Sequence, residues 1–157
     1  MIMPDLRLLR HGIRLFWDDP PDDAWLVVSW VSQGQFCSKW RRMGAVDDAL
    51  TFLLRIARSH DCYVGMALRH PDCEPVGRGS SDDAYAVGSL WAELDHNQGQ
   101  HANTHILPSP LQLTMFLRSL PFTPSVEINS GGGIHAHVLS RFAQIWRAIL
   151  DCAKLWA

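Results

Sequence analysis

Two acidic residues stand at strand-like spacing in the C-terminal half of the chain. Glu93 and Asp95 lie in the segment SLWAELD, where apolar and other residues alternate as in a β-strand. Residues two apart in a strand point to the same face of a sheet, so the two carboxylates share a face. Neighbouring carboxylates repel each other unless a cation lies between them or one is protonated. Their hard oxygen atoms suit Mg²⁺ or Mn²⁺, and the alternative is a solvated strand end.

The second segment with possible chemistry is EINSGGGIHAH, residues 127–137. Strand-like residues on both sides of the glycine run predict a hairpin, with His135 and His137 on one face of its second strand. Successive backbone N–H groups of a glycine turn can bind an anion, and Ser130 adds a hydroxyl. The glycines concerned are Gly131, Gly132 and Gly133. Next to two metal-binding acids, such a turn and a histidine suit a metal–triphosphate group, whereas the turn alone is typical of a flexible hairpin.

The elements predicted from residue 84 onward have the order β-α-β-β-α. They are a strand at 84–95, a helix at 109–120, strands at 125–130 and 134–139, and an amphipathic helix at 140–156. Ser109 is a suitable N-cap for the first helix and is followed by a proline, as is common at helix starts. The order is that of an RRM-like unit without its last strand. In such a unit the first strand lies in the centre, beside the third, so the histidines and the acids come onto one surface.

A smaller αβ module is predicted before this unit. WLVVSWV (25–31) has the composition of a buried strand, and residues 46–59 have the apolar period of an amphipathic helix. CYVGMALR (62–69) predicts a second strand, and residues 71–83 predict a loop. We therefore expect an α+β fold in one domain of residues 1–157, with an N-terminal αβ module at 1–83 and an incomplete RRM-like module at 84–157.

The composition restricts the class of protein. The chain has 157 residues, is 47% hydrophobic and has a net charge of −2, so no global basic field attracts nucleic acid. A nucleic acid could still be held locally. Four cysteines without a CxxC pair favour a reducing compartment. The N-terminal segment contains no secretory signal, and the longest apolar run, AWLVVSWV, is too short to span a bilayer. These features predict a cytoplasmic protein without a membrane partner.

LWAELD, followed by PSVEINSGGGIHAH, resembles the archaeo-eukaryotic primase superfamily, in particular its primase-polymerase branch (PrimPol-like, RepB-like). In that family an acidic DxD or DxE motif follows an apolar pair, and a second motif often reads SGGGxHxYW. The segments CYVGMALR and GRGSSDD also fit the family's upstream pattern. The resemblance covers residues from about 24 to the end of the chain, and the SGGGxH run is its most specific part.

The resemblance implies a DNA primase or polymerase that performs metal-dependent, template-directed nucleotidyl transfer with Mg²⁺ or Mn²⁺. By position, Glu93 and Asp95 match the metal-binding acids. Ser130 and His135, with the glycine amides between them, match the motif that contacts the triphosphate. Arg78 matches a basic residue in the loop before the acidic strand. The implied partners are nucleoside triphosphates, a single-stranded or primed DNA template, and helicase or other replication domains in a longer chain.

The sequence departs from the family at three places. Glu93 replaces the usual first aspartate, and His137 stands where the family has an aromatic residue. The family's third carboxylate follows the helix after the second motif, and Asp151, on that predicted helix, is not a good substitute. These departures support an alternative, an inactive or truncated primase-like module that binds nucleotides or DNA in a plasmid or phage replication protein. A structural α+β domain unrelated to nucleotides would be favoured if His135 and Glu93 were far apart.

Three weaker patterns have ordinary structural explanations. His60, Cys62, His70 and Cys73 include zinc-ligand types, but their spacing matches no common zinc module. SKWRR (38–42) mixes base-stacking and phosphate-binding residues, although a solvated loop is the simpler interpretation. The three histidines of HNQGQHANTH (96–105) fit a polar surface loop.

Overall fold

Among the residues that the structure describes, the chain has an α+β fold in which two helices, a short helical turn and five strands precede a second group of one helix and three strands. The computed structural model describes residues 5–17, 19–95, 109–121, 123–129 and 133–139. In chain order the elements are α1 Leu6–Phe16, β1 Trp25–Ser32, β2 Gln35–Arg42, a 3-10 turn Met43–Ala45, α2 Val46–Ile56, β3 Cys62–Val64, β4 Ala67–Arg69, β5 Ala84–Val87, β6 Ser89–Asp95, α3 Pro110–Ser119, β7 Val126–Asn129 and β8 Gly133–Leu139. The chain divides into two compact units after Gly88. None of the helices described is long and apolar enough to cross a membrane.

The first unit is built on an antiparallel sheet with the strand order β2-β1-β4-β5, in which β3 also pairs with β1. Gln33 and Gly34 connect β1 to β2 with positive φ angles of 51° and 77°, as in the two-residue turns that suit twisted hairpins. Helices α1 and α2 contribute to a buried cluster that includes Leu26 and Val28 of β1. The predicted strand at 25–31 and the predicted helix at 46–59 are both confirmed.

Two elements of the first unit were not predicted from the sequence. Helix α1 has Asp5 as its N-cap, and the Asp5 carboxylate accepts a hydrogen bond from the Arg7 backbone N–H at 2.8 Å. Its apolar residues at i, i+3, i+7 and i+10 face the core, namely Leu6, Leu9, Ile13 and Phe16. Residues 38–42, interpreted as a loop, belong instead to β2. That strand lies at the edge of its sheet, where solvent tolerates charged side chains, so its charges obscured the strand pattern.

Two segments that we predicted as single strands are each broken at a glycine. CYVGMALR forms β3 and β4, with the break at Gly65, where a Cβ atom would lie 3.2 Å from the Val27 carbonyl oxygen. AYAVGSLWAELD forms β5 and β6, which belong to different sheets. A Cβ atom at Gly88, between them, would collide with the backbone carbonyl of Phe16. Only glycine therefore lets the chain pass at that position, and the strand ends there.

The second unit contains an antiparallel sheet with the strand order β6-β8-β7. The first strand lies beside the third, as predicted, although β6 is an edge strand within the part of the chain that the structure describes. Helix α3 begins at Ser109, whose hydroxyl accepts from the Gln112 backbone N–H at 3.3 Å. Leu113 and Leu117 of α3 pack against Ala136 of β8. The predicted helix at 140–156 lies outside the described residues.

Candidate functional site

The register of the second sheet brings the acidic strand and the histidine strand together. Glu93 of β6 lies directly opposite His135 of β8, and Asp95 lies opposite Gly133. Opposite residues of an antiparallel pair point to the same face. Because Leu94 and Ala136 pack on the α3 side, both carboxylates and His135 lie on the other face of the sheet, which we call the open face.

Glu93 and His135 are in direct contact on the open face. Glu93 Oε1 lies 3.3 Å from His135 Nε2, and the two side chains are 58% and 34% exposed. The two atoms are within ion-pair distance but are not aligned as a hydrogen bond. A carboxylate and an imidazole at this separation can contact the same ligand. The condition that would have favoured an unrelated structural domain, a large distance between these two residues, is not met.

Gly133 allows the chain to approach Asp95 closely. A Cβ atom at this position would collide with the Leu94 carbonyl oxygen and would lie 2.9 Å from Asp95 Oδ1. This glycine is therefore explained by close packing of β8 on β6. The predicted anion-binding turn also needs Ser130, Gly131 and Gly132, and these three residues lie outside the described residues.

His137 differs from His135 although both belong to the same face of β8. His137 is only 2% exposed, and its Nδ1 lies 3.1 Å from the hydroxyl oxygen of the fully buried Ser89. Burial disfavours the charged imidazolium and lowers the pKa of His137, and the neighbouring His135 lowers it further. No pattern in the sequence distinguishes Ser89, although it has the same strand parity as Glu93. His137 thus has the surroundings of a neutral structural histidine.

Two large apolar side chains flank the Glu93–His135 pair. Trp91, two residues before Glu93 on β6, is 49% exposed, and Ile128 of β7 lies directly opposite His135 and is also exposed. The parity of SLWAELD already places Trp91 with the acids, but the sequence interpretation gave it no role. An exposed indole beside a carboxylate–imidazole pair can stack on a planar ligand.

Arg78 belongs to the first unit, where its guanidinium carbon lies 4.6 Å from the centre of the Phe36 ring.

The cysteines at 37, 62 and 73 are free of disulfide bonds, and burial is the main cause that raises the pKa of Cys62 and of Cys73. Across the residues described, no group of three or more His, Cys, Asp or Glu side chains is arranged to hold a metal ion. The histidines and cysteines of residues 60–73 therefore do not come together as a zinc site. The acidic side chains of the open face are Glu93 and Asp95.

Comparisons with known proteins give no match: no family model, no curated protein and no solved structure matches this chain. The function is therefore argued from the motifs and from the geometry of the open face.

Proposed function

We propose that this chain is a DNA primase-polymerase catalytic domain that joins nucleotides on a template by metal-dependent nucleotidyl transfer. The observation that carries the proposal is the contact between Glu93 and His135, with Asp95 on the same open face. These residues come from the two motifs that resemble the primase superfamily. The β-α-β-β order, with the first strand beside the third, supports the RRM-like sheet that the resemblance implies.

The acids of the open face fit a divalent cation that is shared with a substrate. Mg²⁺ is usually bound by one or two carboxylates together with substrate phosphates and water, so Glu93 and Asp95 are sufficient protein ligands. Carboxylate oxygens suit Mn²⁺ as well. When bound there, the cation would polarise the triphosphate and the attacking 3′-hydroxyl group.

The side chains around the acids have roles that follow from their chemistry. His135 can donate the N–H of Nδ1 to a phosphate oxygen, because its Nε2 faces Glu93 and is buried. The backbone N–H groups of the glycine run and the Ser130 hydroxyl would bind other oxygens of the triphosphate. Trp91 offers a ring on the same face for a base. A phosphate contact by Arg78 is a further expectation of the resemblance.

The test is extension of a primed DNA template with Mg²⁺ or Mn²⁺ and nucleoside triphosphates. Asp95→Asn removes one metal-binding charge and His135→Ala removes the phosphate donor. We expect each to lower nucleotide incorporation by roughly 100-fold or more, as is typical when an electrostatic contact to a transition state is lost. The matched control is Glu127→Gln, because Glu127 lies opposite Ala136 and so belongs to the other face of the same sheet.

Circular dichroism and thermal unfolding check that each variant keeps its fold. Incorporation that survives in both Asp95→Asn and His135→Ala contradicts the proposal. Equal loss in Glu127→Gln contradicts it too, because the effect would then not depend on the open face.

A second candidate function is that of a nucleotide- or DNA-binding module without catalysis. It is supported by the presence of two acids, and of no larger ligand group, among the described residues of this face. Glu93, which is longer by one methylene than the family's aspartate, also supports it. A Mn²⁺-dependent nucleotide titration distinguishes the candidates. Binding that Asp95→Asn abolishes, without incorporation by the wild-type chain, favours this second function.

A further inference from the structure

Two aromatic rings meet on the outer face of the first unit's sheet. Phe36 of β2 lies opposite Val31, and Tyr63 of β3 lies opposite Ser29. Both rings therefore lie on the face away from the core, because the alternate residues of β1 are buried in it. The ring centroids are 5.6 Å apart at an angle of 51°, and the two residues are 53% and 48% exposed. They form a continuous apolar surface across β1.

A cation is held next to these rings by a loop that is anchored on the sheet. The guanidinium carbon of Arg78 lies 4.6 Å from the centre of the Phe36 ring. On one side of Arg78, the Trp40 indole N–H donates to the Gly77 carbonyl at 2.7 Å. Arg69 donates to the Arg78 carbonyl at 3.2 Å and to the Ser80 carbonyl at 2.7 Å. The backbone of Arg78 is thus fixed on both sides.

The glycines that flank Arg78 make this anchoring possible. Gly77 and Gly79 have positive φ angles of 53° and 72°, which side chains disfavour. A Cβ atom at Gly79 would lie 3.1 Å from both the Trp40 ring and the Arg69 side chain. Only glycine lets the loop pack this tightly against the sheet. The GRG sequence therefore presents one arginine from a fixed backbone.

The other cations near these strands are used inside the fold. The Arg42 guanidinium lies 3.5 Å from the Trp25 ring, and the Lys39 ammonium lies 4.5 Å from the Phe52 ring. Lys39 and Arg42 of the SKWRR segment are thus engaged in internal cation–π contacts, and Arg41 donates to the Trp40 carbonyl. By contrast, no carboxylate among the residues that the structure describes pairs with the Arg78 guanidinium. Arg78 stays available to an anion beside two half-exposed rings.

We propose that Phe36, Tyr63 and Arg78, here named the aromatic platform, bind single-stranded nucleic acid. Aromatic side chains stack on unpaired bases of any sequence, whereas a duplex hides its base faces. A guanidinium over a ring uses its face for the cation–π contact, and its N–H groups remain in its own plane for phosphate oxygens. The positive charge of Arg78, which pairs with no carboxylate of the described residues, complements the phosphate backbone. The binding requires no activity at the Glu93–His135 site.

The chain has a net charge of −2, so the binding is local and is best measured at low salt. The probe is a fluorescently labelled oligothymidylate of roughly 16 nucleotides, at the upper end of single-strand site sizes, followed by anisotropy. Phe36→Leu and Tyr63→Leu keep apolar bulk but remove the stacking faces. We expect each to weaken binding by roughly 5- to 100-fold, since one stacked base contributes a factor of this size.

Arg78→Gln tests the cation. We expect it to weaken binding and to reduce the slope of log affinity against log salt by about 0.7, the value for one phosphate contact on a single strand. The matched control is Tyr85→Leu. Tyr85 is another exposed tyrosine of the first unit, and its ring packs against His70 and not against the platform. The Tyr85→Leu variant should bind the oligonucleotide with an affinity within about twofold of the wild-type value, because it removes no stacking ring of the platform.

Phe36→Tyr retains a stacking ring and should retain binding, which separates stacking from general damage to the sheet. Wild-type affinity in Phe36→Leu and Tyr63→Leu would overturn the proposal. Equally tight binding of a duplex of the same length would overturn it as well. The absence of any oligonucleotide binding by the wild-type chain at low salt would also overturn it. The titration contains a chelator and no nucleoside triphosphate, so oligonucleotide binding does not depend on a cation at the acids of the open face, and this proposal and the proposed catalytic function can fail separately.

Discussion

The two units use their sheets in different ways. The first unit buries a cluster of eleven hydrophobic residues between its five-stranded sheet and helices α1 and α2. In the second unit, the corresponding cluster of the described residues has three members, from one helix and a three-stranded sheet. A small core contributes less free energy to folding, because apolar burial scales with the area removed from water. Among the described residues, the second unit therefore buries fewer apolar side chains, and its open face carries Glu93, Asp95 and His135.

The charged groups of the two sheets also differ in their partners. Near β2, the cations lie over aromatic rings, and these contacts tie side chains of one unit together. On β6 and β8, a carboxylate contacts an imidazole across the strands, and both side chains are of types that bind metal ions. In the first unit these cations are therefore held against aromatic rings, whereas in the second unit a carboxylate and an imidazole meet on the open face.

The largest expected effect comes from the cores. Leu50 of α2 and Leu113 of α3 are both fully buried, and replacement of such a leucine by alanine costs about 2–5 kcal/mol. We expect Leu113→Ala to increase hydrogen exchange in β6, β7 and β8 and to leave β1 protected. Leu50→Ala should do the reverse. Mass spectrometry of exchanged peptides measures both. If either variant loosens both units equally, the chain unfolds as one cooperative structure and the comparison does not hold.

A smaller effect is expected at two glycines. Gly133→Ala places a Cβ against the Leu94 carbonyl, so β8 must move away from β6. We expect a loss of roughly 1–3 kcal/mol of unfolding free energy, the usual cost of overpacking, together with weaker nucleotide binding. The control is Gly12→Ala in α1, where a Cβ would have no atom within 4 Å. It should stabilise the chain by roughly 0.5–1 kcal/mol, because glycine is a poor helix former. Urea unfolding measures both changes, and a stabilising Gly133→Ala would contradict the close approach.

The smallest effect is expected in the pH dependence of stability. The pKa of His137 is lowered in the folded chain from its ordinary value of 6.5, mainly by burial. The unfolded chain therefore binds the proton more readily, and unfolding free energy falls as the pH drops below about 6.5. His137→Asn keeps a polar group near Ser89 but does not titrate, so it should flatten this dependence between pH 7.5 and 5. His11→Asn, at an exposed position of α1, serves as the control. An unchanged slope in His137→Asn would show that other groups cause the acid sensitivity.

Local patterns predicted the elements whose signals lie within a few residues. Helix α3 has its cap at Ser109, and the alternation of residues 126–139 predicted the β7–β8 hairpin. Two features were not predicted, because each depends on the position of a segment in the tertiary structure and not on its neighbours in sequence. The charges of edge strand β2 suggested a loop, and the single strand expected at 84–95 is divided between two sheets at Gly88. The reason for that division is the Phe16 backbone, which is far away in sequence.

The sequence by itself determined which side chains share a face, because alternation in a strand is a local property. It put Glu93 with Asp95, and His135 with His137. Only the tertiary structure decided the register. A shift of two residues would keep every side chain on its face but would give Glu93 a different partner. Long-range pairing sets Glu93 against His135 and buries His137 beside Ser89. Two histidines that share one face of a strand thus become one half-buried candidate ligand, His135, and one buried structural residue, His137.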